Sequence, residues 1–120
     1  MKIRNLTPHT IVYQDATGTR VDFPSEGVAR VSTTPSDFSV TQDGITICGA
    51  DRTGVITGLP EPAPGEYLLV SAMVGAAVCE QYPSQMWAKR VIVPGTGPND
   101  NAIRENGQVV AVTRFKFVVQ

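Results

Sequence analysis

The chain has 120 residues, 42% of them hydrophobic, with ten Lys or Arg against eleven Asp or Glu and a net charge of −1. A chain of this length supports one modest core, with roughly 6,300 Å² exposed once folded, so a single domain over residues 1–120 is expected. Near-neutral charge disfavours duplex nucleic acid or an anionic membrane as partner, since both select for a surplus of Lys and Arg, and it leaves a small charged ligand open.

Eleven glycines and nine prolines divide the chain into short apolar segments, the grammar of a mainly β protein. Ile11 to Gln14 and Thr19 to Phe23 flank Asp15-Ala16-Thr17-Gly18, a hairpin loop in which the glycine supplies positive φ. After the turn Pro24-Ser25-Glu26-Gly27, residues 28–32 alternate as a half-buried strand. Phe38 to Thr41 and Ile45 to Cys48 form a second hairpin, because Asp43-Gly44 fits a type I′ turn. Residues 55–59 read as a short strand, and Pro60 to Gly65 as a loop too poor in amide donors for a sheet interior.

Tyr67 to Val70 is a buried strand, and Ser71 caps a helix over 72–81 that Pro83 ends. That helix is apolar nearly all round and rich in Ala and Gly, which suits close approach to a sheet or to another subunit. Val91 to Val93 leads into the loop 94–104, after which Asn106-Gly107 opens a strand from Gln108 to Val119. Its alternation assigns Val109, Ala111, Thr113, Phe115, Phe117 and Val119 to the core, and Arg114 and Lys116 to a face where they meet an anion, an acid or a neighbouring chain. The fold class expected is α+β: a mainly antiparallel sheet with one helix packed on it.

Catalytic and metal chemistry find little purchase. His9 in Leu6-Thr7-Pro8-His9-Thr10 lacks a nucleophile elbow and reads as part of an N-terminal turn. Cys48 and Cys79 have no CxxC spacing, and the acids are scattered singly, so no metal, cofactor or catalytic residue is assigned. Few cysteines, no signal-like apolar stretch near Met1 and no ~20-residue apolar run point to a cytoplasmic protein.

Asn99, Asp100 and Asn101, followed by Arg104, offer short polar groups for reading hydroxyls and base edges. A well-capped turn in which they satisfy local backbone is the equal alternative. Arg114 and Arg30 are guanidinium forks suited to phosphate, and Tyr82 and Trp87 are loop aromatics suited to stacking on a base.

Three stretches carry a resemblance: Asn5-Leu6-Thr7-Pro8-His9-Thr10-Ile11; Leu68-Leu69-Val70-Ser71-Ala72-Met73-Val74; and Val93-Pro94-Gly95-Thr96-Gly97-Pro98-Asn99-Asp100-Asn101 with the later Val110-Ala111-Val112-Thr113-Arg114-Phe115. Together they resemble small phage and prophage proteins of this length, and among them the Thoeris anti-defence sponges. These sponges bind cyclic ADP-ribose-type signals made by bacterial TIR proteins and withhold them from the defence effector.

The resemblance implies a non-enzymatic, mainly β protein assembled as dimers or hexamers, with ligand pockets at subunit boundaries. It implies that Asn99, Asp100 and Asn101 form the ligand loop, that Arg114 is the ligand-holding strand arginine, and that the stacking aromatic is Tyr82 or Trp87. Cyclic oligonucleotides are implied as a second ligand class, with Arg30 as the candidate for that site. A signal-degrading enzyme and a ligand-free phage assembly protein are the alternatives.

Overall fold

In the computed structural model, which describes residues 1–82, 87 and 89–118, the chain begins with a strand that composition does not announce. Strand β1 (Lys2–Asn5) lies parallel to β8 (Glu66–Leu69), which pairs parallel with β9 (Val91–Pro94), and β9 pairs antiparallel with β12 (Phe115–Phe117). This four-stranded sheet, ordered β1-β8-β9-β12, is mixed. The remaining pairs are antiparallel and small: β2 (Ile11–Gln14) with β3 (Arg20–Phe23), β4 (Arg30–Thr34) with β7 (Arg52–Thr57), β5 (Ser39–Gln42) with β6 (Ile45–Cys48), and β10 (Ile103–Glu105) with β11 (Gln108–Ala111). The architecture is therefore α+β, mostly strand, in several small sheets rather than one.

Turn chemistry acts where expected. Asp43 and Gly44 take φ of 55° and 76°, and Asn106 and Gly107 take 52° and 80°, the double positive φ of a type I′ hairpin. In the first hairpin Asp15 Oδ1 accepts from the Thr17 and Thr19 amides and the Thr17 hydroxyl. Those bonds, the Thr17 hydroxyl foremost, hold the Asp15 carboxyl below its ordinary range.

Helix α1 (Ala72–Gln81) has Ser71 at its N-cap, whose hydroxyl accepts from the Val74 amide at 3.3 Å. Pro83 lies outside the described residues; the helix ends at Gln81, where the Tyr82 amide donates to the Val78 carbonyl. Val74, Gly75, Ala77 and Val78 form the buried stripe, one face of a 3.6-residue period. They join Leu6, Ala29, Ile56, Leu68, Val70 and Val91 in the core. The small-residue face thus packs inward: a Cβ on Gly75 would stand 2.6 Å from Val93 Cγ1 and 2.9 Å from Val118 Cγ1. That face is spent on the sheet, while Ala72, Met73 and Ala76 on the other side of the helix are exposed.

The last strand departs most from expectation. It breaks at residues 112–114, where Val112 leaves the hairpin to bridge Tyr13 in parallel while the chain turns toward β9. The break changes which side chains face inward. Val112 is buried and Val118 packs on the core, whereas Val109 and Phe117 are exposed; Val119 is outside the described residues. Alternation runs unbroken through residues that belong to two different pairings, so it misplaces Val109, Val112, Phe117 and Val118 while holding for Ala111 and for residues 113–116.

Residues 30–57 form one long double-stranded arm, β4 and β7 at its base and β5 and β6 at its tip. The base touches α1, while β5 and β6 touch mainly each other. The molecule measures 56 × 38 × 24 Å with a radius of gyration of 17.0 Å, against about 14 Å for a compact chain of this length. Its surface of 7855 Å² is about a quarter larger than the ~6,300 Å² expected of a compact fold.

Candidate functional site

Loop 95–104 follows β9 and is pinned from both sides. The Gly95 amide donates to the Arg114 carbonyl at 3.0 Å, and a Cβ there would meet Arg114 Cγ at 2.7 Å, so only glycine lets the loop lie this close. Asp100, 2% exposed, closes the turn. One carboxylate oxygen accepts from the Gly97 amide at 2.8 Å and the other pairs with Lys116 Nζ at 2.9 Å, while the Asp100 amide donates back to the Gly97 carbonyl. The Lys116 hydrogen bond, the Gly97 amide and the charges of Lys116 and Arg114 outweigh burial and hold this carboxyl below its ordinary range.

Thr113 Oγ1 donates to the carbonyls of Asp100 and Asn101, and Arg104 donates to the Thr96 carbonyl at 2.7 Å. The side chains of Asp100 and Arg104 are thus engaged in holding the loop. Lys116 meets the acid that its position beside Arg114 predicts. Asn99 and Asn101 are exposed, with Asn101 in the left-handed region at φ 54°.

Arg114 links this loop to a groove of about 550 Å³. Its walls are aromatic: Tyr13 stacks on Phe115 at 5.5 Å, Phe23 meets Phe115 edge-on at 5.9 Å, and Tyr67 lies tilted against Phe117 at 6.2 Å. Among the described residues, Arg114 is the one charged side chain in its lining. The strand break at 112–114 creates this arrangement by swinging Phe115 away from β11 and onto Tyr13.

The chain matches no family model, no curated protein and no solved structure. The site therefore stands on its own geometry.

Of the residues singled out in the sequence, Asn99, Asp100, Asn101, Arg104 and Arg114 are brought together. Tyr82 and Trp87 are not part of the groove: they stack on each other at 5.4 Å, and Trp87 packs against the core. Arg30 sits exposed on β4 opposite Thr57, outside the groove lining. His9 has an exposed side chain, and its carbonyl is what the fold uses, accepting from Asn5 Nδ2 and Thr7 Oγ1.

The aromatics facing the groove are Tyr13, Phe23, Tyr67, Phe115 and Phe117. Sequence reasoning assigned the last two to the core, and no local pattern marks the tyrosines, which come together from strands more than fifty positions apart. Among the described residues, no three His, Cys, Asp or Glu cluster as a metal site requires, and Cys48 and Cys79 are free and exposed. Among the described residues, no helix is long and apolar enough to cross a membrane.

Proposed function

We propose that this protein captures a cyclic ADP-ribose-type nucleotide signal without converting it, and so blocks bacterial TIR-based Thoeris defence from within the host cytoplasm. The observation that carries the reading is the aromatic groove with the Arg114 guanidinium where it adjoins the asparagine loop. A base packs on the floor formed by the stacked Tyr13–Phe115 pair, Arg114 holds the pyrophosphate as a charge-assisted fork, and Asn99 and Asn101 reach the ribose hydroxyls. The resemblance of the Asn5–Ile11, Leu68–Val74 and 93–101 stretches to the sponges points the same way. Assembly as dimers or hexamers belongs to this reading, as does a second site for cyclic oligonucleotides at Arg30.

Titration calorimetry with cyclic ADP-ribose isomers tests it. Losing charge-assisted hydrogen bonds worth about 1.5–3 kcal/mol, Arg114→Ala is expected to weaken capture by roughly 10- to 150-fold, and Asn101→Ala to weaken it less, with both variants folded. Heat-denaturing the complex should return intact ligand. Unchanged affinity in both variants removes this groove from consideration, and converted ligand identifies an enzyme instead. An assembly protein without ligand is the second reading, favoured by the exposed apolar arm; no thermal shift with any cyclic nucleotide would support it.

A further inference from the structure

The tip of the arm is a two-stranded ribbon with one polar and one apolar face. Val40 pairs with Ile47, and Phe38 and Ile45 lie two residues away on the same side, while Thr41 and Thr46 hydrogen-bond across the other face at 3.0 Å. The apolar face looks into solvent: Phe38, Ile45 and Ile47 are 67%, 63% and 67% exposed. A two-stranded ribbon with nothing packed on it is marginally stable in water, and its bare apolar face demands a cover.

We infer that the apolar face of this arm docks over the aromatic groove of a second copy of the chain. Three observations select that occupant. The groove presents an exposed apolar rim, Val21 and Phe117 at 47% and 45%, matching the arm in chemistry. Charge is complementary as well, because the tip of the arm, residues 35–51, carries Asp37, Asp43 and Asp51 and no cation, with Arg30 and Arg52 confined to its base, whereas the described groove lining carries Arg114 and no acidic side chain. The same three acids oppose pairing of one arm with another arm.

Because donor and acceptor patches differ, the contact is heterologous and closes as reciprocal arms or as a ring. Seated on the rim, the arm roofs the floor formed by Tyr13 and Phe115, so it covers the place proposed for the nucleotide without occupying it.

Sedimentation equilibrium without any nucleotide tests the contact apart from ligand binding. The unmodified chain is expected well above its monomer mass of 12.8 kDa, and Ile47→Asp and Val21→Asp each at that mass. An equimolar mixture of the two variants should associate again, since the intact arm of one meets the intact groove of the other; this recovery also shows that both variants fold. A monomeric unmodified chain, a Val21→Asp variant that associates normally, or a mixture that stays monomeric would each overturn the inference. Ligand capture, or its failure, leaves that result untouched.

Discussion

Asn5 is the polar keystone of the N-terminal turn. Its side chain is wholly buried and fully satisfied: Nδ2 donates to the His9 carbonyl at 2.8 Å and the Phe23 carbonyl at 2.6 Å, and Oδ1 accepts from the Thr7 amide at 2.9 Å and the Thr7 hydroxyl at 2.7 Å. Only one orientation of the amide meets two carbonyls and two donors. Asn5→Ala removes all four bonds and strands the buried Thr7 amide.

At about 0.5–1 kcal/mol per bond, with about 1 kcal/mol added for the stranded amide, the cost is about 3–5 kcal/mol. That is a large share of the about 5–15 kcal/mol that holds a domain folded, and it corresponds to a fall in Tm of roughly 10–20 °C. Urea unfolding followed by circular dichroism should show the midpoint drop with its slope unchanged. His9→Ala, which removes an exposed imidazole and keeps the carbonyl, should stay within about 0.5 kcal/mol. An Asn5→Ala variant within about 1 kcal/mol of the parent, or a His9→Ala variant as damaged as Asn5→Ala, would refute the assignment.

Acid stability should depend on the Asp100–Lys116 pair. Because the folded state holds the Asp100 carboxyl below its ordinary value of 3.8, the pair's contribution is present above that value and is lost as pH falls through the lower folded one. Urea midpoints measured from neutral pH down to about 3 should therefore fall less steeply below the ordinary carboxylate range in Lys116→Met than in the parent; equal slopes would show the pair to be idle. Gly75→Ala forces Val93 and Val118 away from the helix and should cost about 1–3 kcal/mol, read from the same unfolding curves. A neutral or stabilising result would mean that α1 slides on the sheet without strain.

The elements most legible in the sequence were those encoded locally. Asp43-Gly44 and Asn106-Gly107 specify their hairpins because few other residues tolerate two successive positive φ values, and Ser71 fixes the start of α1 because it offers an oxygen to an orphan amide. The elements that escaped are encoded at a distance. β1 is short and polar and becomes a strand only because β8 offers it an edge, while alternation through 108–119 cannot report that Val112 and Phe115 serve different partners. Periodicity also marks two faces without saying whether either is covered, which is why Val40, Ile45 and Ile47 look like core and stand in solvent. In the candidate site, the loop with Arg114 was readable as a polar cluster; the aromatic walls were not, since each comes from a different strand.

The parallel pairing of β1 with β8 sets an order of events during synthesis. Lys2 to Asn5 leave the ribosome ahead of their partners Glu66 to Leu69, which follow only after roughly sixty more residues have been made. The arm needs no such wait, because its strands are joined by tight turns and close on the microsecond scale. A nascent chain therefore closes and reopens its arm before the sheet beneath it exists. A finished neighbour on the same message would offer its groove to such an arm while the body behind it is still incomplete, a window in which translation rate and chaperone access decide between assembly and aggregation.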